Sequence, residues 1–184
     1  MGTYAKELSF ASEPGSENRT LPLLYVDDNP DDHILFHKAW QNARVPFRWK
    51  GATTVAEAME YLRELIEKSK RQIVRWPKLI VTDIALPFTN GFELVKFVRQ
   101  TAEISHIPIV LLSGAFSPAD EENGKRVGAN LCVVKPFELS DLVDLAKDLH
   151  QLATRKCEQR EEVLLESLGN TCTPDRAISD FGLR

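Results

Sequence analysis

The sequence predicts an α/β fold, a doubly wound five-stranded parallel sheet with helices on both faces. Three observations carry this. The runs Leu79 to Thr82 and Ile109 to Leu112 lack polar alternation, as strands buried on both faces do. Stretches of helical periodicity alternate with the strand-like runs, which implies parallel pairing through crossover helices. Strand-like runs one, three, four and five are each followed by a polar residue: Asp27, Asp83, Ser113 and Lys135. In open parallel sheets those carboxyl ends share one rim, where ligands bind.

The elements follow in order. Residues 1–20 hold Ser9, Ser12, Pro14, Gly15, Ser16, Glu17 and Asn18, a linker composition expected to be flexible. Leu21 to Val26 is the first strand and runs into Asp27-Asp28-Asn29-Pro30-Asp31-Asp32. Pro30 suits the first turn of a helix, and Asp31 and Asp32 suit its positive end. Ile34, Leu35, Ala39, Trp40 and Ala43 give that helix an apolar face. Phe47 and Trp49, alternating with Arg48 and Lys50, mark a second strand at a sheet edge. Thr54 and Glu57 form an expected capping box for a helix carrying Ala58, Tyr61, Leu62, Leu65 and Ile66.

Lys68 to Pro77 is basic and loop-like, with Ile73, Val74 and Trp76 as apolar contacts. The third strand, Leu79 to Asp83, follows it. Gly91 to Gln100 is a helix with Phe92, Leu94, Val95 and Val98 inward. Ile107 to Ser113 is the fourth strand, and Pro118 to Val127 a short helix closed by Gly128. Asn130 to Lys135 is the fifth strand. Leu139, Leu142, Val143, Ala146, Leu149 and Ala153 repeat at helical spacing in the last core helix. The domain is therefore placed at 21–153, with a C-terminal extension at 154–184 that is partly helical. Its charged part, Arg155 to Glu162, reads as a solvated helix face. The extension is too short to form an output domain.

Composition narrows the function. The chain has 184 residues, 43% of them hydrophobic and 27% charged, with a net charge of -4 and a pI near 5.6. That acidic balance gives no electrostatic case for nucleic acid or an anionic membrane. No stretch approaches the roughly 20 apolar residues of a membrane span, and no apolar signal-peptide core opens the chain. Cys132, Cys157 and Cys172 are odd in number and lack metal-type spacing. A reducing cytoplasm is the expected compartment.

The shared rim is expected to collect Asp27, Asp28, Asp83, Ser113 and Lys135. Three close carboxylates repel, so either one is protonated or a divalent cation joins them. Oxygen ligands favour a hard ion such as Mg²⁺. Lys135 is a point charge suited to a phosphoryl oxygen or a carboxylate. Aspartate is a competent nucleophile for phosphoryl groups, with metal and lysine stabilising the transferred charge.

Asp-Asp after the first strand, Asp-x-x-Leu-Pro-x-x-x-Gly from Asp83, Ser-Gly at 113 and Lys-Pro at 135 resemble, over 21–153, the receiver domain of two-component response regulators. The resemblance implies a flavodoxin-like sheet in the order 2-1-3-4-5. It implies Asp83 as phosphoacceptor, Asp28 as direct ligand of Mg²⁺, Asp27 acting largely through metal-bound water, and the Ala85 carbonyl as backbone ligand. Ser113 becomes the switch hydroxyl, Lys135 the phosphate-contacting lysine, and Pro136 the proline after a usually cis peptide. The implied partner is a histidine kinase. The Asp-Asn-Pro-Asp-Asp run is similar to single-domain regulators of phytochrome-type kinases. A homodimer through the fourth helix, fifth strand and fifth helix is a further expectation. No catalytic turnover is implied beyond slow loss of the phosphoryl group.

Two departures stand out. Cys132 lies where the family usually has Tyr, Phe or His, and Ser69 to Pro77 lengthens the connection into the third strand. Two other functions compete. A metal-dependent phosphatase would carry an aspartate two residues after its nucleophile, but that residue is Ala85. A phosphate-independent scaffold would not need all five rim residues. His33 and His37, one helical turn apart, read as solvated helix residues rather than a zinc pair.

Overall fold

The structure, a computed structural model, describes residues 21–167, with side chains as far as Arg155. Five strands, β1 (Leu21–Val26), β2 (Phe47–Ala52), β3 (Leu79–Asp83), β4 (Ile109–Ser113) and β5 (Leu131–Val134), form one parallel sheet in the order β2-β1-β3-β4-β5. The helices are α1 (Pro30–Asn42), α2 (Val55–Ser69), α3 (Gly91–Gln100), α4 (Pro118–Val127) and α5 (Leu139–Ser167). The fold expected from the sequence is the one observed. Residues 1–20 and 168–184 lie outside the described part.

Strand alternation divides the core into two layers. Leu23, Tyr25, Leu79, Val81, Val110 and Leu112 face α1 and α5, where Phe36, Trp40, Leu142 and Leu149 meet them. Leu24, Val26, Ile80, Ile109 and Leu111 face the other way, onto Leu62 of α2 and Leu94 and Val98 of α3. Burying each such side chain stabilises the fold by about 1.5–3 kcal/mol. This double burial explains why β1, β3 and β4 read as unbroken apolar runs.

Local signals set the helix ends. Asn29 caps α1, its side chain accepting from the amide of Asp31. Thr54 caps α2 through the Glu57 amide at 3.1 Å, but Glu57 returns its carboxylate to Thr53, not to Thr54. The expected box is thus displaced by one residue. A reciprocal capping box closes instead at α4, between Ser117 and Asp120. Gly128 ends α4 at φ 94°. Arg99 then ties α3 to the start of β4 and β5, donating to the carbonyls of Gly128, Ser105 and Ile107 and to Asn130 Oδ1.

The β3–α3 turn holds Asp83 in place. Thr82 Oγ1 donates to the Asp83 carbonyl at 3.0 Å, and the Gly91 amide donates to the Ile84 carbonyl at 3.1 Å. Gly91 is packed so closely that a Cβ there would collide with the Asp83 carbonyl oxygen and press on Leu111. Gly91→Ala is therefore expected to lower stability by about 1–3 kcal/mol. Urea denaturation checks this, and an unchanged midpoint would contradict the close packing.

Candidate functional site

The carboxyl ends of β1, β3, β4 and β5 deliver their polar residues to one rim, as their register requires. Val26 pairs with Thr82, Asp83 with Leu112, and Ser113 with Val134. Asp27 therefore stands beside Asp83, and Lys135 crosses the rim to reach both.

Asp27 is almost wholly buried, at 1% exposure. The protein supplies it with three donors: Oδ1 takes the Asn29 amide at 3.0 Å, and Oδ2 takes the Tyr25 hydroxyl at 2.8 Å and Lys135 Nζ at 2.5 Å. Its carbonyl meets His33 Nε2 at 2.7 Å. His33 is only 8% exposed and stands edge-on to Tyr25. His37 lies half-buried against Phe47 and Trp49. The solvated reading of the two histidines is thus corrected: the α1 face they occupy is packed on β1 and β2. Burial, with the neighbouring Asp27 charge, also pushes the Tyr25 phenol far above its ordinary range, so it remains a donor.

Lys135 faces three carboxylates. Asp27 is at 2.5 Å, Asp32 at 2.8 Å and Asp83 at 3.5 Å. Burial alone would lower its pKa, but the hydrogen bonds to Asp27 and Asp32 outweigh that, and the ammonium titrates above ordinary lysine. Asp32 is the residue that sequence reasoning missed. Its sequence position marks a helix-start charge, which it also is, but Asn29 Nδ2 at 2.9 Å turns it inward to the lysine.

Asp83 is less well served. Oδ1 accepts from the Ala85 amide at 2.9 Å, while Oδ2 has only the 3.5 Å contact with Lys135. Burial raises its pKa above the ordinary aspartate value; the Ala85 amide and Lys135 oppose that rise, and the Asp27 charge adds to it. Ser113 is brought to the rim but not to Asp83. Its hydroxyl donates to the Ala115 carbonyl at 2.8 Å, within its own loop. No described peptide bond is cis, so Lys135–Pro136 is trans, unlike the family expectation.

Asp28 is exposed and engages no protein partner among the described residues. The same is true of the Ala85 carbonyl. With Asp27, Asp32 and Asp83 beside it, the rim sets four carboxylates against one ammonium. Among the described residues no three acidic, imidazole or thiol groups stand close enough to enclose a metal by themselves. The donors present, two accessible carboxylates and a carbonyl, still fit Mg²⁺, which binds through one or two carboxylates and keeps several waters.

Cys132 occupies a narrow place. Gly124 of α4 lies directly on it, since a Cβ at 124 would collide with Cys132 Sγ. The glycine lets α4 approach β5 where a larger side chain at 132 would hold it off. Burial pushes the Cys132 thiol up, which keeps it an inert packing group.

A five-stranded doubly wound sheet with aspartates, a hydroxyl and a lysine at the carboxyl rim defines a receiver module. The sequence profile of the response regulator receiver domain matches residues 23–147, and the chain belongs to that family. Two-component response regulator ORR3 of Oryza sativa subsp. indica is 38% identical over 120 residues, 65% of this chain and 83% of that protein. The phosphorylated cyanobacterial phytochrome response regulator RcpA superposes with a TM-score of 0.63 at 27% identity, over 73% of this chain and 94% of that one. Response regulator Rcp1, solved in a Mn²⁺-bound form, shares the fold at a TM-score of 0.59 and 20% identity, over 85% and 99% of the two chains. The chain spans 24% of a probable cyclic di-GMP phosphodiesterase of Vibrio cholerae and 12% of the Escherichia coli sensor protein EvgS. No described helix is long and apolar enough to cross a membrane.

The raised pKa of Asp83 has a consequence for stability. Its ionised form is disfavoured in the folded state, so the carboxylate destabilises the fold at neutral pH. Below the ordinary aspartate value of about 3.9 both states are protonated and the penalty disappears. Asp83→Asn is therefore expected to raise the urea midpoint at pH 7, with the gain vanishing toward pH 3. A variant less stable than the parent at pH 7 would contradict the assigned balance.

Proposed function

We propose that this protein is a response regulator that accepts a phosphoryl group on Asp83 from the phosphohistidine of a histidine kinase. The observation that carries this is Asp83 itself: a carboxylate with one oxygen held by the Ala85 amide, the other open, and an ammonium 3.5 Å away. Burial makes that carboxylate more basic, which favours nucleophilic attack. Asp83 Oδ2 attacks phosphorus as the P–N bond to the imidazole breaks. The bonding pair leaves on the imidazole nitrogen, which takes a proton from solvent. Lys135 moves from Asp32 toward the new phosphoryl oxygens, and the Ser113 hydroxyl turns from Ala115 to the same group.

Mg²⁺ is the ion we assign, held by Asp28, Asp83 and the Ala85 carbonyl, with Asp27 reaching it through water. When bound it neutralises phosphoryl charge during transfer. The phosphatase alternative is not favoured, because the methyl group of Ala85 cannot act as acid or base where such enzymes place an aspartate. The setting we propose is the cytoplasm, and the receiver unit spans 21–153.

The partner we assign is a phytochrome-type histidine kinase, supported by the likeness to RcpA. Phe88, fully exposed at φ 67° on the β3–α3 loop that follows Asp83, offers it an apolar contact. The state is read on the α4, β5 and α5 face, where a homodimer forms. Leu131 and Val134 of β5 are 44% and 55% exposed there, and α4 buries little of itself beyond Gly124. Because Cys132 has no ring to swing inward, the readout proceeds by movement of the Gly114 to Pro118 loop.

Intact mass after incubation with Mg²⁺ and acetyl phosphate tests the acceptor. One phosphoryl group on the parent and none on Asp83→Asn or Asp28→Ala is expected; an Asp28→Ala variant that labels normally would remove its ligand role. Lys135→Ala should still accept phosphate but lose the change in hydrogen exchange from Gly114 to Leu149. Exchange that changes only around Asp28 and Asp83 in the parent would overturn the readout face.

A further inference from the structure

A recess of about 450 Å³ lies at the far end of the sheet from the acidic rim. Pro22 of β1 and Pro77, just before β3, line it, so it sits by the amino ends of those strands. The strand rise puts Pro22 and Leu23 roughly 13–17 Å from Asp27. It owes its shape to the connection between α2 and β3, residues 70–78, which is longer than the two to about six residues common between a helix and a strand. That connection contributes Ile73, Val74 and Arg75 to the wall. The receiver chemistry described above uses none of these residues.

The charge on the wall runs against the charge of the chain. The protein carries a net -4, yet Arg48 and Lys50 of β2, Lys68 of α2 and Arg75 of the connection all line this recess. Glu64 faces them too, pairing with Lys68 at 2.9 Å and feeling Lys50 as well. Between the cations the lining is apolar. Pro22, Leu65 and Val74 contribute to it, and the half-buried Tyr61 ring lies 5.3 Å under Lys50 Nζ. Ile73 stands fully exposed beside them. β2 is the edge strand, so solvent reaches the recess directly.

We propose that this recess is a binding site for a small organic anion, with the anionic group held between Arg48 and Lys50 and an apolar body laid against Tyr61, Leu65 and Val74. Its volume falls among those of small-molecule sites, about 300–1,000 Å³. Phosphate- and carboxylate-headed ligands share the chemistry, and the choice of probe separates them.

The test is calorimetric titration of the full chain with adenosine 5′-monophosphate, with octanoate and with inorganic phosphate. One organic anion is expected to bind at one site per chain with a Kd below about 1 mM, at least tenfold tighter than inorganic phosphate. Binding of the nucleotide alone marks a phosphate-headed ligand, and of octanoate alone a carboxylate-headed one. Arg48→Ala with Lys50→Ala should weaken it at least tenfold, while Asp83→Asn leaves it unchanged. Amide shifts of residues 72–75 on titration of the parent give a second reading that needs no variant. Failure of both organic anions, equal binding of inorganic phosphate, or binding that survives the double variant would overturn the proposal. So would shifts confined to the Asp27–Asp83 rim, or binding of an acidic peptide where neither small anion binds.

Discussion

The single ammonium of Lys135 is the charge on which the rim depends. It reaches Asp27 at the end of β1, Asp32 in α1 and Asp83 at the end of β3. A buried aspartate without a counter-charge is strongly destabilising, and removing one partner of such a pair costs about 3–5 kcal/mol. Asp27 escapes that penalty through Lys135, Tyr25 and the Asn29 amide together. The lysine thus joins both halves of the sheet: its strand is the last in the order, and its partners come from the first strand, the first helix and the middle strand.

The same arrangement leaves Asp83 poised. Lys135 gives its two short contacts to Asp27 and Asp32 and only a long one to Asp83. A phosphoryl group on Asp83 would add negative charge where the lysine is least committed. The lysine would then be drawn across, loosening its hold on α1. A ligand or modification shifts a conformational equilibrium only by its different interaction with the two states. In the function proposed here that difference would lie in the exchange of Asp32 for phosphoryl oxygen at Lys135 and of the Ala115 carbonyl for the same group at Ser113. Beyond the rim, the contact between Gly124 and Cys132 holds α4 close to β5. Signal passing in that direction has a tightly packed path but no aromatic ring to move.

Most of the sheet and most of the rim were legible in the sequence, for a physical reason. Parallel strands buried on both faces must be continuous apolar runs, and their carboxyl ends must share an edge, so Asp27, Asp83, Ser113 and Lys135 fall together without knowledge of any contact. The details that were not legible depend on side-chain direction. Asp32 could be placed in the first turn of α1, but not on the side facing Lys135, because the turn at Asn29 decides that. Tyr25 read as one apolar residue among six, and its hydroxyl found Asp27 only through the strand register. His33 looked like a surface residue of an amphipathic helix, yet Trp49 and Tyr25 close over it. Ser113 was correctly placed at the rim, but the loop after it supplied a nearer acceptor in the Ala115 carbonyl.

The function proposed for the rim turns on Lys135 exchanging partners when Asp83 is phosphorylated. A crystal structure of the full chain with Mg²⁺ and beryllofluoride, which mimics the phosphoryl group on aspartate, tests it most directly. Lys135 Nζ is expected within hydrogen-bond distance of a fluoride, detached from Asp32, and the Ser113 hydroxyl turned from Ala115 onto the same group. Lys135 still seated between Asp27 and Asp32, with Ser113 still bonded to Ala115 and the mimic in place on Asp83, would contradict it.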